Sequence, residues 1–108
     1  MESVLKQERA TAKGQFTRKV NLFDKSLNNK DHIDVLSDLL NEVNEKFLKL
    51  ETIHDKLLAI QGIDTAELDT YINNVEETKI RVKKSFLAYK TSCNSNQSVE
   101  NLMFLLKN

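Results

Sequence analysis

The sequence predicts an all-α protein, an elongated antiparallel three-helix bundle of coiled-coil type with a short fourth helix at the C-terminus. Three observations predict this fold class. The 108 residues include no proline and two glycines, so few residues break helices or shape turns between strands. Apolar residues recur at helical spacing through three long segments. The stretches between these segments are short and polar, as between antiparallel helices of a bundle. We therefore expect a single helical domain over residues 1–108.

The first helix is predicted over residues 3–28. Its apolar residues are separated by seven, four, four, three and four positions, which places them on one helical face. Gly14 lies inside this segment, where glycine costs about 1 kcal/mol relative to alanine. This glycine either lets another helix approach closely or marks a frayed first turn. The apolar residues of the face are Leu5, Ala12, Phe16, Val20, Phe23 and Leu27.

The second helix is predicted over residues 32–61 and has the most regular pattern. Eight positions alternate spacings of three and four, which is the heptad repeat of a coiled coil, and His54 is the one polar residue among them. Asp31 or Asn29 is the predicted N-cap, and Gly62 is predicted to end the helix as a left-handed C-cap. The repeat comprises Ile33, Leu36, Leu40, Val43, Phe47, Leu50, His54 and Leu57.

The third helix is predicted over residues 65–91. It opens with Asp64 followed three residues later by Glu67, a pair that resembles a capping box. Lys79 interrupts an otherwise apolar face. That face consists of Leu68, Ile72, Val75, Val82, Phe86 and Tyr89.

A polar linker over residues 91–98 and a short fourth helix over residues 98–107 are predicted to follow. A helix this short is not stable alone, so it must dock against something. It either closes a groove of the same bundle or forms an interaction surface with another subunit. The apolar run that would make this surface is Leu102, Met103, Phe104, Leu105 and Leu106.

The formal net charge is zero, but the charges are segregated along the chain. Residues 1–30 carry a net charge of +4, residues 31–77 carry −9 and residues 78–108 carry +5. We favour pairing between helices as the explanation, because the few aromatic residues sit at core spacings and leave none for stacking on bases. The alternative is a basic patch that contacts nucleic acid. Its candidate residues are Lys13, Arg18, Lys19, Lys83 and Lys84.

No combination of residues indicates catalysis, a cofactor or a metal. His32 and His54 would stand about 33 Å apart on one helix, too far to share an ion. His54 is interpreted as a satisfied histidine in or beside the core. Cys93 has no histidine or acid at a telling spacing, and Glu76 and Glu77 diverge by about 100° on a helix. We therefore expect that the chain is not an enzyme.

Cysteine usage and hydropathy bear on the compartment. A single cysteine forms no intrachain disulfide, which favours a reducing environment such as the cytoplasm. No apolar run approaches the roughly 20 residues of a membrane span, and Glu2 stands where a myristoylation signal requires glycine. We expect a cytoplasmic protein without a membrane partner.

One stretch resembles a known family. Residues 9–18, RATAKGQFTR, followed by NLF at 21–23, are similar to the start of the gag-like region of Bel/Pao-type LTR retrotransposons. In that region a basic residue precedes a Lys-Gly-x-hydrophobic-Thr-Arg core and an amphipathic helix. The similarity continues through LLNEVNEKF at 39–47, IHDKL at 53–57 and the helix around residues 71–89.

The resemblance implies a non-enzymatic N-terminal gag module that acts in particle assembly through self-association, either in an active element or in a host gene derived from one. The expected partner is a second copy of the chain or another helical protein. Two alternatives remain open from the residues alone. One is a cytoplasmic coiled-coil adaptor that binds a partner helix, and the other is a weak nucleic-acid-binding bundle.

Overall fold

The computed structural model describes the backbone of residues 1–107 and the side chains of residues 1–93. All regular structure in this part of the chain is helical: α1 (Glu2–Asn28), α2 (Ile33–Leu58) and α3 (Thr65–Lys107). The three helices pack against one another, which confirms the predicted helical bundle. α2 is central, since it packs along both of its neighbours, whereas α1 and α3 meet mainly through long side chains.

Contacts between α1 and α3 establish that these two helices are parallel. Their hydrogen bonds join Arg9 to Glu67 and Asp24 to Arg81, pairs that are 58 and 57 positions apart, and Tyr89 of α3 donates to the carbonyl of Asp31, just after α1, at an offset of 58. This constant offset means that α3 follows α1 in the same direction, while α2 returns between them. The bundle is elongated, with dimensions of 71 × 20 × 16 Å.

The core is one continuous cluster built from the apolar face of each helix. The heptad positions Ile33 and Leu40 are half-buried and pack against this cluster. Lys79, which interrupts the face of α3, places its ammonium group 4.3 Å from the centre of the Phe47 ring. This contact between a cation and an aromatic ring stabilises a lysine at a position on the apolar face of α3. The buried members are Leu5, Ala12, Phe16, Val20, Phe23, Leu36, Val43, Phe47, Leu50, Ile53, Leu57, Leu68, Val75, Val82 and Phe86.

α1 is continuous through Gly14. No atom lies within 4 Å of the position that a Cβ would take at this residue, so the glycine neither marks a frayed turn nor admits a neighbouring helix. It occupies an exposed position where alanine would fit.

α1 ends in a Schellman motif, with a lysine in the place that glycine usually takes. The N–H of Asp31 donates to the carbonyl of Ser26 at 3.1 Å, and the N–H of Lys30 donates to the carbonyl of Leu27 at 3.0 Å. Lys30 has φ +55°, in the left-handed region that disfavours residues with a Cβ. The Ser26 hydroxyl also donates to the Asp31 carboxylate at 2.6 Å, which reinforces the turn.

The N-cap of α2 is His32, and the prediction of Asp31 or Asn29 is wrong. The His32 Nδ1 accepts a hydrogen bond from the N–H of Asp34 at 3.1 Å. The physical reason is that Asp31 is already engaged in closing α1, through both its backbone N–H and its carboxylate. His32 is the next residue able to accept from a first-turn donor.

The connection between α2 and α3 begins earlier than predicted. α2 ends at Leu58 rather than near residue 61, and Ala59 forms its C-cap with right-handed backbone angles. Gly62 does adopt the left-handed conformation, at φ +80°, but within the connecting turn and not as the cap of α2. Asp64 caps α3 as expected, because its carboxylate accepts from the N–H groups of Ala66 and Glu67 at 3.1 and 3.3 Å.

α3 extends over Thr65–Lys107 as one element. The predicted end near residue 91, the linker over 91–98 and the separate fourth helix over 98–107 are not shown. The predicted interaction surface, Leu102 to Leu106, lies outside the residues whose side chains are described. Among the described residues, no helix combines the length and the apolar character needed to span a lipid bilayer.

Candidate interaction surfaces

A groove runs between α1 and α2, and at the Met1 end it is mainly apolar. This end has a volume of about 500 Å³ and continues past Val4 and Glu8 into a depression of about 330 Å³ beside Thr11 and Lys49. Val4 is 55% exposed although its neighbour Leu5 is in the core. The wide end is lined by Met1, Val4, Leu5, Glu8, Lys56, Ala59 and Ile60.

A separate depression lies farther along the boundary of α1 and α2, and we call the depressions along this boundary together the α1–α2 groove. This separate depression, of about 220 Å³, is lined by residues that include Leu22, Val35 and Leu39. Leu22 is 39% exposed and Val35 is 45% exposed. The groove thus carries apolar side chains at both ends, as expected for a surface that another helix can cover.

The middle of the bundle contains polar groups at the boundary of α1 and α2. The Lys19 ammonium lies 3.3 Å from the Glu42 carboxylate and pairs the two helices. The Gln15 side-chain oxygen is buried and finds no hydrogen-bond partner among the described residues.

A second set of large exposed apolar side chains lies on α2 and α3. Leu48 is 60% exposed, Ile80 is 44% exposed and Leu87 is 48% exposed. Leu48 and Ile80 each follow one member of the Phe47–Lys79 contact in sequence, so they stand at the same level of the bundle. We call this surface, defined by Leu48, Ile80 and Leu87, the α2–α3 face.

One strongly buried charge connects α1 to α3. Arg9 is 8% exposed, and its guanidinium donates to the Glu67 carboxylate at 2.9 and 3.4 Å. The same guanidinium lies 3.8 Å from the centre of the Tyr71 ring, and Lys6 lies 3.8 Å from the Glu67 carboxylate. Burial raises the pKa of Tyr71, and Arg9 opposes this rise while Glu67 adds to it. The cluster is a structural contact that fixes the register of the parallel helices.

The described ion pairs follow the predicted pairing between helices in part. Lys19 and Glu42 join basic α1 to acidic α2, as expected. The basic part of α3 instead turns to α1, where Arg81 makes two hydrogen bonds with Asp24 at 3.1 and 3.2 Å. Partner choice across parallel helices depends on register, which charge counts along the sequence do not reveal.

The residues predicted to contact nucleic acid are spread along the bundle. Lys19 is paired with Glu42, and the Lys13 ammonium lies 3.4 Å from the Thr17 hydroxyl. Arg18, Lys83 and Lys84 are exposed. The offset of 57 to 58 residues places Lys83 about 12 Å farther along the axis than Arg18. Nucleic-acid contact remains a prediction, and a steep loss of affinity with salt is its signature.

His54 and Cys93 are partly buried in the bundle. The His54 side chain is 14% exposed, and its Nε2 lies 3.7 Å from the Asp69 carboxylate of α3. His54 therefore lies at the boundary of the core. Cys93 is half-buried and unpaired with another cysteine in the described part. Within residues 1–93, no group of three or more histidine, cysteine or acidic side chains is placed to hold a metal ion.

Sequence reasoning missed two features of these surfaces. Three exposed apolar residues do not fall at the helical positions of the predicted core faces: Val4, Leu22 and Leu48. Their positions off these faces are the sequence signal that could have identified them as exposed. The Arg9–Glu67 pair has no local signature, because its members are 58 residues apart. Comparison with protein-family models, with curated proteins and with solved structures gives no match to this chain.

Proposed function

We propose that this chain is a non-enzymatic structural and interaction module that acts by self-association. The resemblance of residues 9–18 to the start of a gag-like region supports a role in particle assembly. The observation that carries the proposal is the α1–α2 groove, a long surface with exposed apolar side chains at both ends.

Three properties of the groove support a protein partner over a small molecule. It is open and elongated, and its two ends lie near opposite ends of α1. Its polar lining is dominated by long, exposed side chains such as Glu8, Lys49 and Lys56. Small-molecule sites are instead concave cavities with a few converging polar groups.

Sedimentation equilibrium of the full chain tests the proposal, at concentrations from about 10 µM to about 1 mM, since moderate interfaces dissociate in this range. The expected result is an average mass that rises above the 12.4 kDa of one chain. A mass that stays at one chain throughout would contradict self-association. Removing residues 98–108 then separates the surfaces, because a loss of association would place the interface on Leu102 to Leu106.

A second candidate function is that of an adaptor for a partner helix, and the apolar end of the α1–α2 groove near Val4 favours it. Amphipathic helices dock into such grooves through anchors spaced three or four residues apart. The test is titration with an amphipathic helical peptide of about 18 residues, which spans roughly 27 Å of groove. Binding by a chain that stays monomeric would favour the adaptor, and no binding would exclude a helix-binding groove.

A further inference from the structure

We infer that self-association is head-to-tail: the α1–α2 groove of one copy receives the α2–α3 face of a second copy. This inference rests on the proposed function and names the partner surface. It is carried by two observations, the opposite charges that rim the two surfaces and the different directions in which they face.

The α1–α2 groove is rimmed mainly by lysines. Lys49 and Lys56 are exposed on α2, seven residues apart and hence on one side of the helix, and each lines the groove together with Val4. Lys46 lies three residues before Lys49 on the same side. The acid in this part of the lining is Glu8 of α1. These lysines would be left facing a partner that covers Val4.

The α2–α3 face is rimmed mainly by acids. Glu51 and Asp55 are exposed three and seven residues after Leu48, so they flank it on α2. Glu76 is exposed four residues before Ile80 on α3. Glu77, three residues before Ile80, adds to these acids, whereas Lys83 and Lys84, three and four residues after Ile80, are bases. An apolar centre at Leu48 and Ile80 is therefore surrounded by net negative charge.

Charge complementarity selects between the two ways in which identical copies can pair. In a groove-to-groove dimer with two-fold symmetry, both copies bring a rim that carries Lys49 and Lys56, and Glu8 is the acid of the lining near Val4 available to face them. Like charges brought together across an interface are unfavourable. Pairing of the groove with the α2–α3 face instead brings lysines to Glu51, Asp55 and Glu76, and apolar Val4 to apolar Leu48.

The two surfaces lie on different sides of α2, so one copy can use both at once. A heterologous contact of this kind does not close on itself after two copies, and it generates rings or filaments. The expected assembly therefore grows beyond a dimer as concentration rises.

Complementation between two single variants tests the inference. Val4→Asp places a carboxylate in the groove, and Leu48→Asp places one on the α2–α3 face. Both positions are exposed, so the fold is retained, and circular dichroism of each variant checks this. Asn21→Asp adds the same charge at an exposed position of α1 outside both surfaces and serves as the matched control. The readout is sedimentation equilibrium of each protein and of the equimolar mixture.

The head-to-tail arrangement predicts that each variant alone associates at least about tenfold more weakly than the natural chain. Their mixture should form a heterodimer of twice the 12.4 kDa chain mass and nothing larger, because one intact groove and one intact face remain. Asn21→Asp should behave as the natural chain does.

Three outcomes would overturn the inference. If Val4→Asp abolishes association and Leu48→Asp does not, the groove pairs with itself. If neither variant weakens the association of the natural chain, self-association stands but uses another surface. If the natural chain is monomeric at every concentration, the proposed function fails together with the inference that rests on it.

Discussion

Replacement of Phe47 by alanine is the sharpest test of the packing that underlies both surfaces. Phe47 is 3% exposed on the central helix, and its ring carries the Lys79 ammonium 4.3 Å from its centre. Because α2 packs along both α1 and α3, neither neighbour can collapse into the cavity without leaving the other. Phe47→Ala should therefore destabilise the fold by about 3–5 kcal/mol, including the lost cation–aromatic contact.

A loss of this size is a large part of the roughly 5–15 kcal/mol by which domains are stable. Urea unfolding followed by circular dichroism measures it at micromolar protein. With a slope of about 2 kcal/mol/M, a loss of 4 kcal/mol lowers the midpoint by roughly 2 M. The matched control is Leu48→Ala, one residue along and 60% exposed, which should change stability by less than about 0.5 kcal/mol. A loss below about 1 kcal/mol for Phe47→Ala, or an equal loss for Leu48→Ala, would refute this packing.

Three further predictions concern single positions. Gly14→Ala should stabilise the fold by about 1 kcal/mol, since the site is helical and open, whereas Gly62→Ala should destabilise it because φ is +80° there; thermal melts that ranked them in reverse would contradict the backbone geometry. Lys30→Gly should raise stability by about 1 kcal/mol by relieving the left-handed strain at φ +55°, and an unchanged urea midpoint would count against that strain. The raised pKa of Tyr71 favours the neutral phenol in the folded state, so the stability that Tyr71 contributes is complete below the unfolded pKa of 10.0 and is lost as pH rises through the folded pKa. The free energy of unfolding, measured at stepped alkaline pH, should therefore decline, and Tyr71→Phe should reduce that decline. An identical decline in both proteins would exclude this origin.

The three packed helices were predictable because they depend on the spacing of apolar residues along the sequence. The heptad positions of α2 from Leu36 to Leu57 follow one apolar stripe, and burial of that stripe requires a neighbour on each side. The cap of α3 at Asp64 was equally local, since it depends on a carboxylate within reach of two N–H groups.

The spacing of residues in the sequence could not predict which of two competing residues caps a helix, or which residues far apart in sequence form a pair. Asp31 and His32 both qualify as caps by residue type, and the choice between them follows from the demand of α1 for Asp31. Glu67 fits a capping box by sequence, but Arg9 on another helix takes its carboxylate. The surfaces at Val4 and Leu48 emerged only once the packing showed which apolar residues the core leaves exposed.

The dependence of mass on concentration tests the central claim most directly. Sedimentation equilibrium of the full chain should give an average mass that climbs from 12.4 kDa at the lowest concentration and passes twice that value at the highest. Growth past the dimer is the result expected from a groove and a face on different sides of α2. A constant mass of one chain across the whole series would contradict self-association, and a plateau at two chains would contradict its head-to-tail form.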